Sequence, residues 1–238
     1  MLKKRVLFTL LFDNGSYMLS RNFRLQKVGD LNWLKNNYVF SKISYSIDEL
    51  IVLNVSKERK DEKLFKLHLN KLAEECFIPI AAGGGIRSVE QSREILRSGA
   101  DKVVLNTPIF NDPNLVCKIS REFGQQCIVA SVDVKKENGS FHVYVENGMK
   151  KNEISFEECL NKLINLPIGE IYLNSIDRDG TGQGYMMDII NCLPDNITIP
   201  IIMAGGAGKY NHLSEGIKNK KIDAVATANL FNFIGNGL

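Results

Sequence analysis

Short apolar runs recur along the chain, and each is followed by a longer amphipathic or charged stretch. They span Val6 to Leu11, Glu49 to Leu53, Ile78 to Ala82, Lys102 to Leu105, Cys127 to Val132, Glu170 to Leu173, Ile199 to Met203 and Ile222 to Ala226. Unbroken runs of this length suit strands covered on both faces, and the patterns at Ser88 to Ser98 and Asp112 to Phe123 supply crossover helices. Eight runs at a spacing of about 30 residues, the length of one βα unit, predict an α/β fold of the (β/α)8 TIM-barrel type. A doubly wound open sheet is the alternative.

An internal repeat favours the barrel. Ile78-Pro-Ile-Ala-Ala-Gly-Gly-Gly-Ile-Arg87 resembles Ile199-Pro-Ile-Ile-Met-Ala-Gly-Gly-Ala-Gly208, and Asp48 to Asn54 resembles Gly169 to Asn174. The period is half the chain, so a single barrel domain over residues 1–238 is expected, with a twofold repeat of half-barrels at about 1–122 and 123–238. Two insertions stand out: Phe12 to Asp30 after the first strand, and Val134 to Glu153 after the fifth. The second contains Phe141-His-Val-Tyr-Val145 and an Asn147-Gly148 turn that reads as a hairpin. Both follow C-terminal strand ends, where barrel enzymes build their sites.

Composition narrows the class without naming a function. The 238 residues are 44% hydrophobic and 24% charged, with no apolar run near membrane length. The net charge of +3 is spread along the chain, so neither a nucleic-acid nor a membrane partner is expected. Cys76, Cys117, Cys127, Cys159 and Cys192 are odd in number and far apart, which fits neither a disulfide framework nor a zinc site. The basic, apolar N-terminus briefly resembles a signal peptide. Its apolar run is short and meets Asp13-Asn14-Gly15, so a first buried strand and a reduced, cytoplasmic protein are expected.

Candidate chemistry gathers at strand ends. Gly83-Gly84-Gly85 and Gly205-Gly206 follow corresponding strands in the two halves, where missing Cβ atoms let backbone N–H groups approach an anion. Asn106-Thr107 and Ala228-Asn229 stand ready to add donors, giving paired phosphate sites for a long substrate phosphorylated at both ends. Asp133 closes the fifth run, and Asp177 and Asp179 follow the sixth; carboxylates there are placed for acid/base work. Aligning Val6 to Leu11 with Ile128 to Asp133 puts Leu11 in the slot symmetric to Asp133. Arg5, Glu49, Lys102 and Glu170 begin four strands and would ring the N-terminal floor, where they can satisfy one another as a plug. His68, His142 and His212 lack ligand spacing.

These residues also carry a resemblance. Lys4-Arg5, Asn22-Phe23, Asp48-Glu49-Leu50, Gly83-Gly84-Gly85, Gly99-Ala-Asp-Lys-Val103, Asn106-Thr107, Ser175-Ile-Asp-Arg-Asp-Gly-Thr181, Gly184-Tyr185 and Gly205-Gly-Ala-Gly-Lys209 together resemble the cyclase subunit of imidazole glycerol phosphate synthase, across nearly the whole chain. The resemblance implies a barrel whose catalytic face takes ammonia and a bis-phosphorylated ribulosyl aminoimidazole carboxamide nucleotide, without a cofactor. Asp133 and Asp179 would be catalytic; Gly84, Gly85, Asn106, Thr107, Gly180, Gly205, Gly206 and Asn229 would hold phosphate. It further implies a class I glutaminase docked as a heterodimer on the N-terminal face near Asp101, with Arg5, Glu49, Lys102 and Glu170 gating ammonia.

The departures fall on the cyclase side. Leu11 stands where the family has its first catalytic carboxylate, and Asp13, two residues late, lies roughly 6–7 Å along the strand. Leu19 replaces a substrate-clamping lysine, Ala204 replaces a hydroxyl residue, and the sequence ends at Leu238, short of most of the family's last helix. The expected function is therefore that of a paralogue that passes ammonia to another acceptor, of the kind linked to amidotransfer in surface-polysaccharide sugar biosynthesis. A working histidine-pathway cyclase is the alternative.

Overall fold

The computed structural model describes residues 3–37, 46–57, 60–195 and 197–228. Eight strands form a closed parallel barrel: β1 (Arg5–Asp13), β2 (Glu49–Asn54), β3 (Ile80–Gly83), β4 (Lys102–Leu105), β5 (Ile128–Glu137), β6 (Glu170–Ser175), β7 (Ile201–Ala204) and β8 (Ala224–Thr227). Each pairs with its chain neighbour, and β8 returns to β1 with Arg5 opposite Ala224 and Phe8 opposite Thr227. The crossovers carry helices α1 (Leu31–Asn37), α2 (Glu62–Glu75), α3 (Val89–Arg97), α4 (Thr107–Asn111), α5 (Pro113–Phe123), α6 (Phe156–Ile164) and α7 (Tyr210–Lys218). Caps fix their starts: Asp61, Ser88 and Asp112 accept from the N–H groups of Leu64, Gln91 and Leu115, and Ser155 with Glu158 forms a capping box.

The apolar runs are continuous because both strand faces are buried. Phe8, Leu10, Leu50, Val52, Ile80 and Val103 face the helices, while Leu7, Ile51, Ala81, Val104, Val129, Tyr172, Ile202 and Ala224 fill the barrel axis. The period of two thus sorts each strand between two cores.

Both flagged insertions are antiparallel sheet excursions. The sequence reading ends the first strand at Leu11 and the fifth at Val132, yet β1 runs to Asp13 and β5 to Glu137. Each continues beyond the barrel because an antiparallel partner follows at once. Asn14-Gly15 turns β1 into the strand Ser16–Arg21, which pairs with Arg24–Gly29; Asn138-Gly139 turns β5 into Ser140–Val145, which pairs with Lys150–Ser155. Both turns have positive φ at Asn and Gly, as tight hairpins need. The hairpin expected around Asn147-Gly148 is the second turn of this excursion.

One device recurs at the N-terminal edge. Asp48, Asp101 and Asp223 each precede a barrel strand, and each carboxylate accepts from the N–H of Val6, Ile80 or Ile201 on the neighbouring strand, at 2.9, 2.8 and 3.0 Å. Each aspartate's own N–H donates back to the same residue's carbonyl. Asp101, which the resemblance places at a partner interface, is thus also a strand staple. Asp223→Ala strips Ile201 N–H of this acceptor and is expected to cost about 1–2 kcal/mol. Urea denaturation measures this, and an unchanged midpoint would mean that water replaces the carboxylate.

Candidate functional site

A cavity of about 1420 Å³ opens at the C-terminal ends of the barrel strands. It gathers residues far apart in sequence: Asp133, Asp179, Gly84, Gly85, Asn106, Thr107, Gly180, Gly205 and Gly206 all line it. Asn229, expected to add a phosphate donor, lies outside the described residues, as does the chain beyond it. The four strand-start charges lie at the other end of the barrel.

Asp133 lies at the inner end of this cavity, 7% exposed. Its Oδ2 accepts from Asn106 Nδ2 at 3.1 Å and its Oδ1 from Asn174 Nδ2 at 3.3 Å. Burial pushes its carboxyl up to about 7; Asn174 opposes this, and the Asp179 charge adds to it. The Asn106 side chain is therefore committed to Asp133 and to the Ser131 carbonyl, while its Oδ1 accepts from Thr107 Oγ1 at 3.4 Å.

Asp179 is held by the first excursion. Its Oδ2 accepts from Ser20 Oγ at 2.5 Å and from Phe23 N–H at 3.0 Å. Burial raises its carboxyl above the ordinary value, and these two donors pull it back. Asn22 Nδ2 donates to the carbonyls of Ile176 and Asp177, so the turn at Asn22-Phe23 is pinned onto the loop after β6. The contact demands Gly180: a Cβ there would lie 1.9 Å from the Ser20 carbonyl oxygen.

The glycine turns are shaped by close approach. Gly84 and Gly85 have φ of +108° and +93°, and Gly205 and Gly206 have +84° and +112°. A Cβ on Gly84 would meet the Asn54 carbonyl oxygen at 2.1 Å, and one on Gly206 the Gly184 carbonyl oxygen at 2.2 Å. Both turns flank the same cavity from corresponding barrel strands, an arrangement that can present N–H groups to an anion at each end.

At the opposite end the floor ring forms as its sequence positions imply. Arg5 Nη1 contacts Glu49 Oε2 at 2.7 Å and Arg5 Nη2 pairs with Glu170; Lys102 Nζ lies 2.9 and 3.0 Å from the Glu49 oxygens and 2.9 Å from Glu170 Oε2. Each cation bridges both carboxylates. Burial works against the Arg5 charge, but Glu170 and Glu49 outweigh it and raise the guanidinium further. Burial raises Glu49, partly offset by Lys102. Above this ring lies an apolar layer including Leu7, Ile51, Val104 and Val129, then Tyr172, whose Oη is 3.2 Å from Thr9 Oγ1.

Leu11 lines the cavity from β1, the strand opposite β5 in the eight-strand ring. Asp13 ends β1 beyond it, beside the Asn14-Gly15 turn, and is not among the described cavity-lining residues. Sequence reasoning missed Thr9, Ser20, Lys60, Tyr172 and Asn174, all of which line the cavity. Counting in twos from Glu170 would have found Tyr172 and Asn174; no local signal marked Ser20 or Lys60.

The histidine biosynthesis protein family matches residues 38–235. The chain is 46% identical over 238 residues to the "Putative imidazole glycerol phosphate synthase subunit hisF2" of Parasynechococcus marenigrum (strain WH8102), covering 100% of this chain and 88% of that protein. It is 36% identical over 234 residues to the imidazole glycerol phosphate synthase subunit HisF of Chlorobaculum parvum, covering 98% and 92%. The corresponding subunit of Dehalococcoides mccartyi (strain BAV1) is 35% identical over 234 residues, covering 98% and 91%. Among the described residues no helix is long and apolar enough to cross a membrane.

The carboxyl environment gives a pH prediction. Because the folded chain keeps the Asp133 proton where an unfolded chain releases it, the associated stability is present at low pH and declines as pH climbs from 3.8 towards about 7. Carbon-detected NMR should place the Asp133 midpoint near 7, with Asp188, lowered by its hydrogen bond from Lys136, titrating below the ordinary aspartate range. An Asp133 midpoint below about 5 would show that water solvates this carboxyl freely.

Proposed function

Since the chain belongs to the histidine biosynthesis protein family, with relatives named as imidazole glycerol phosphate synthase subunits, we propose that it is a barrel subunit that delivers ammonia from a partner glutaminase to a phosphorylated acceptor. The glutaminase docks as a heterodimer on the N-terminal face, where Asp101 is exposed beside the ring. Ammonia crosses the ring of Arg5, Glu49, Lys102 and Glu170, follows the barrel axis past Thr9 and Tyr172, and emerges at Asp133. Gly84, Gly85, Thr107, Gly180, Gly205 and Gly206 hold the acceptor's phosphates. As the ammonia nitrogen bonds to an electrophilic carbon, the Asp133 carboxylate takes a proton from it, and the resulting acid returns that proton to the leaving oxygen. Asp179, fixed by Ser20 and Phe23 on the loop after β6, the strand beside that of Asp133, shapes the adjoining wall and holds its charge near Asp133.

The observation that carries this reading is the pairing of an intact floor with an altered mouth. The ring makes every contact available to its four members, while on β1, opposite β5, the cavity is lined by Leu11 and not by a carboxylate, so that Asp179 on the neighbouring loop is the acidic group whose charge Asp133 feels. The acceptor is accordingly other than the ribulosyl nucleotide, and a precursor of bacterial surface sugars is the class that the resemblance points to. A second reading, a working cyclase of histidine biosynthesis, is favoured by 36% identity over 98% of the chain to a HisF subunit.

Turnover separates the two. Given the ribulosyl nucleotide and ammonium salts, the purified chain is expected to be slower than a two-carboxylate cyclase by about 10²–10⁴. Ordinary cyclase rates would establish the second reading.

Coupling tests the conduit. Lys102→Ala removes a cation shared by Glu49 and Glu170. It is expected to uncouple glutamine hydrolysis from amidation while leaving amidation by free ammonium largely intact. A variant that stays fully coupled, or a glutaminase that fails to copurify, would return the ring to a structural plug.

A further inference from the structure

Among the cavity's cations, Lys60 has no role in the reading above. It follows β2 and immediately precedes Asp61, the cap of α2, and lines the cavity beside the Gly84-Gly85 turn. Its Nζ donates to the Asn54 carbonyl oxygen at 2.6 Å. That same oxygen lies 2.1 Å from where a Gly84 Cβ would stand, and a Gly85 Cβ would lie 2.8 Å from Lys60 Cδ and 3.8 Å from Nζ. Gly84 thus lets the turn close onto the Asn54 carbonyl that Lys60 also contacts, and Gly85 leaves open the space beside which the lysine's end lies, so the ammonium sits alongside the turn.

Lys60 has donors to spare. An ammonium carries three donors, and the Asn54 carbonyl uses one. Asp13 and Arg87 are the charged groups whose fields it feels, and no ion pair to Lys60 is formed among the described residues. Burial holds the amine down to about 8; Asp13 opposes this and Arg87, two residues beyond Gly85, adds to it. A partly buried cation with spare donors and a second cation nearby is costly until an anion arrives. The other glycine turn differs: Arg178 lies beside Gly206, but its Nη1 already donates to Gln183 Oε1 at 3.0 Å.

We propose that Lys60 is the specificity-determining cation of the Gly84-Gly85 subsite, gripping the phosphoryl group at one end of the acceptor so that the two glycine turns hold unequal ends. This rests on the reading of that turn as a phosphate cradle. The inequality fixes the direction in which an elongated acceptor lies across the cavity, and hence which of its carbons faces Asp133.

Calorimetric titration with inorganic phosphate near neutral pH tests it on the full chain, independently of any amidation assay. Lys60→Met is expected to weaken binding by at least about tenfold, Lys60→Arg to keep most of it, and Asp13→Asn to tighten it. Thermal melts of Lys60→Met and Lys60→Gln establish that loss of binding is not loss of fold. Wild-type affinity in folded Lys60→Met and Lys60→Gln overturns the proposal. If Gly84→Val alone then abolishes binding, the cradle stands without the lysine; if the wild-type chain binds no phosphate, cradle and lysine fall together.

Discussion

Eight parallel strands that close on themselves force every second side chain onto one axis, and those positions must be filled without leaving a charge unpaired. This constraint organises the molecule. The N-terminal layer is ionic and self-satisfying, with Arg5 and Lys102 each bridging Glu49 and Glu170. The next is apolar, around Leu7, Ile51, Val104 and Val129. Above them the filling stops: small residues such as Ala226 and Ser131, with the glycine turns, leave the space that becomes the cavity.

Two buried acidic environments show different answers to the same penalty. In the ring, desolvation of Glu49 is met by direct contact with two cations. Those cations offset only part of the rise at Glu49; at Asp133 no cation is within ion-pair distance among the described residues, only the amides of Asn106 and Asn174, and the carboxyl rises to about 7. The first arrangement fixes charge in place. The second leaves a group that gains and loses a proton easily near neutral pH, which suits a site of chemistry more than a support.

Much of this was legible in the sequence because it is local or periodic. Continuous apolar runs gave the eight strands, the half-chain repeat gave closure, and charges at strand starts gave the ring. What stayed hidden depends on long-range docking. Ser20 and Phe23 reach Asp179 only because an antiparallel excursion folds back onto the loop after β6, a contact between residues 159 and 156 positions apart. Asn14-Gly15 marks the end of the first strand in the sequence, but neither it nor Asn138-Gly139 shows on its own that an antiparallel partner follows and carries β1 to Asp13 and β5 to Glu137. Lys60 was invisible for another reason: it sits in a charged stretch of Lys57 to Lys63 that reads as an exposed helix start, and only the glycine turn beside it gives it a cavity to face.

Leu11 is more than a missing carboxylate. With two carboxylates facing one another, acid and base roles can be divided, and each group can hold a single protonation state through the reaction. A lone carboxyl must serve in both states in turn, which is efficient only when its pKa lies near the working pH. An apolar Leu11 on the cavity wall supplies surface rather than polar solvation, and burial is the largest cause of the rise at Asp133. Burial, with the Asp179 charge nearby, thus supplies the environment in which Asp133 gains and loses a proton near neutral pH. Under the function proposed above, Asp133 would be the proton-transfer group of this mouth, its carboxyl raised by burial to where both of its states are accessible near neutral pH.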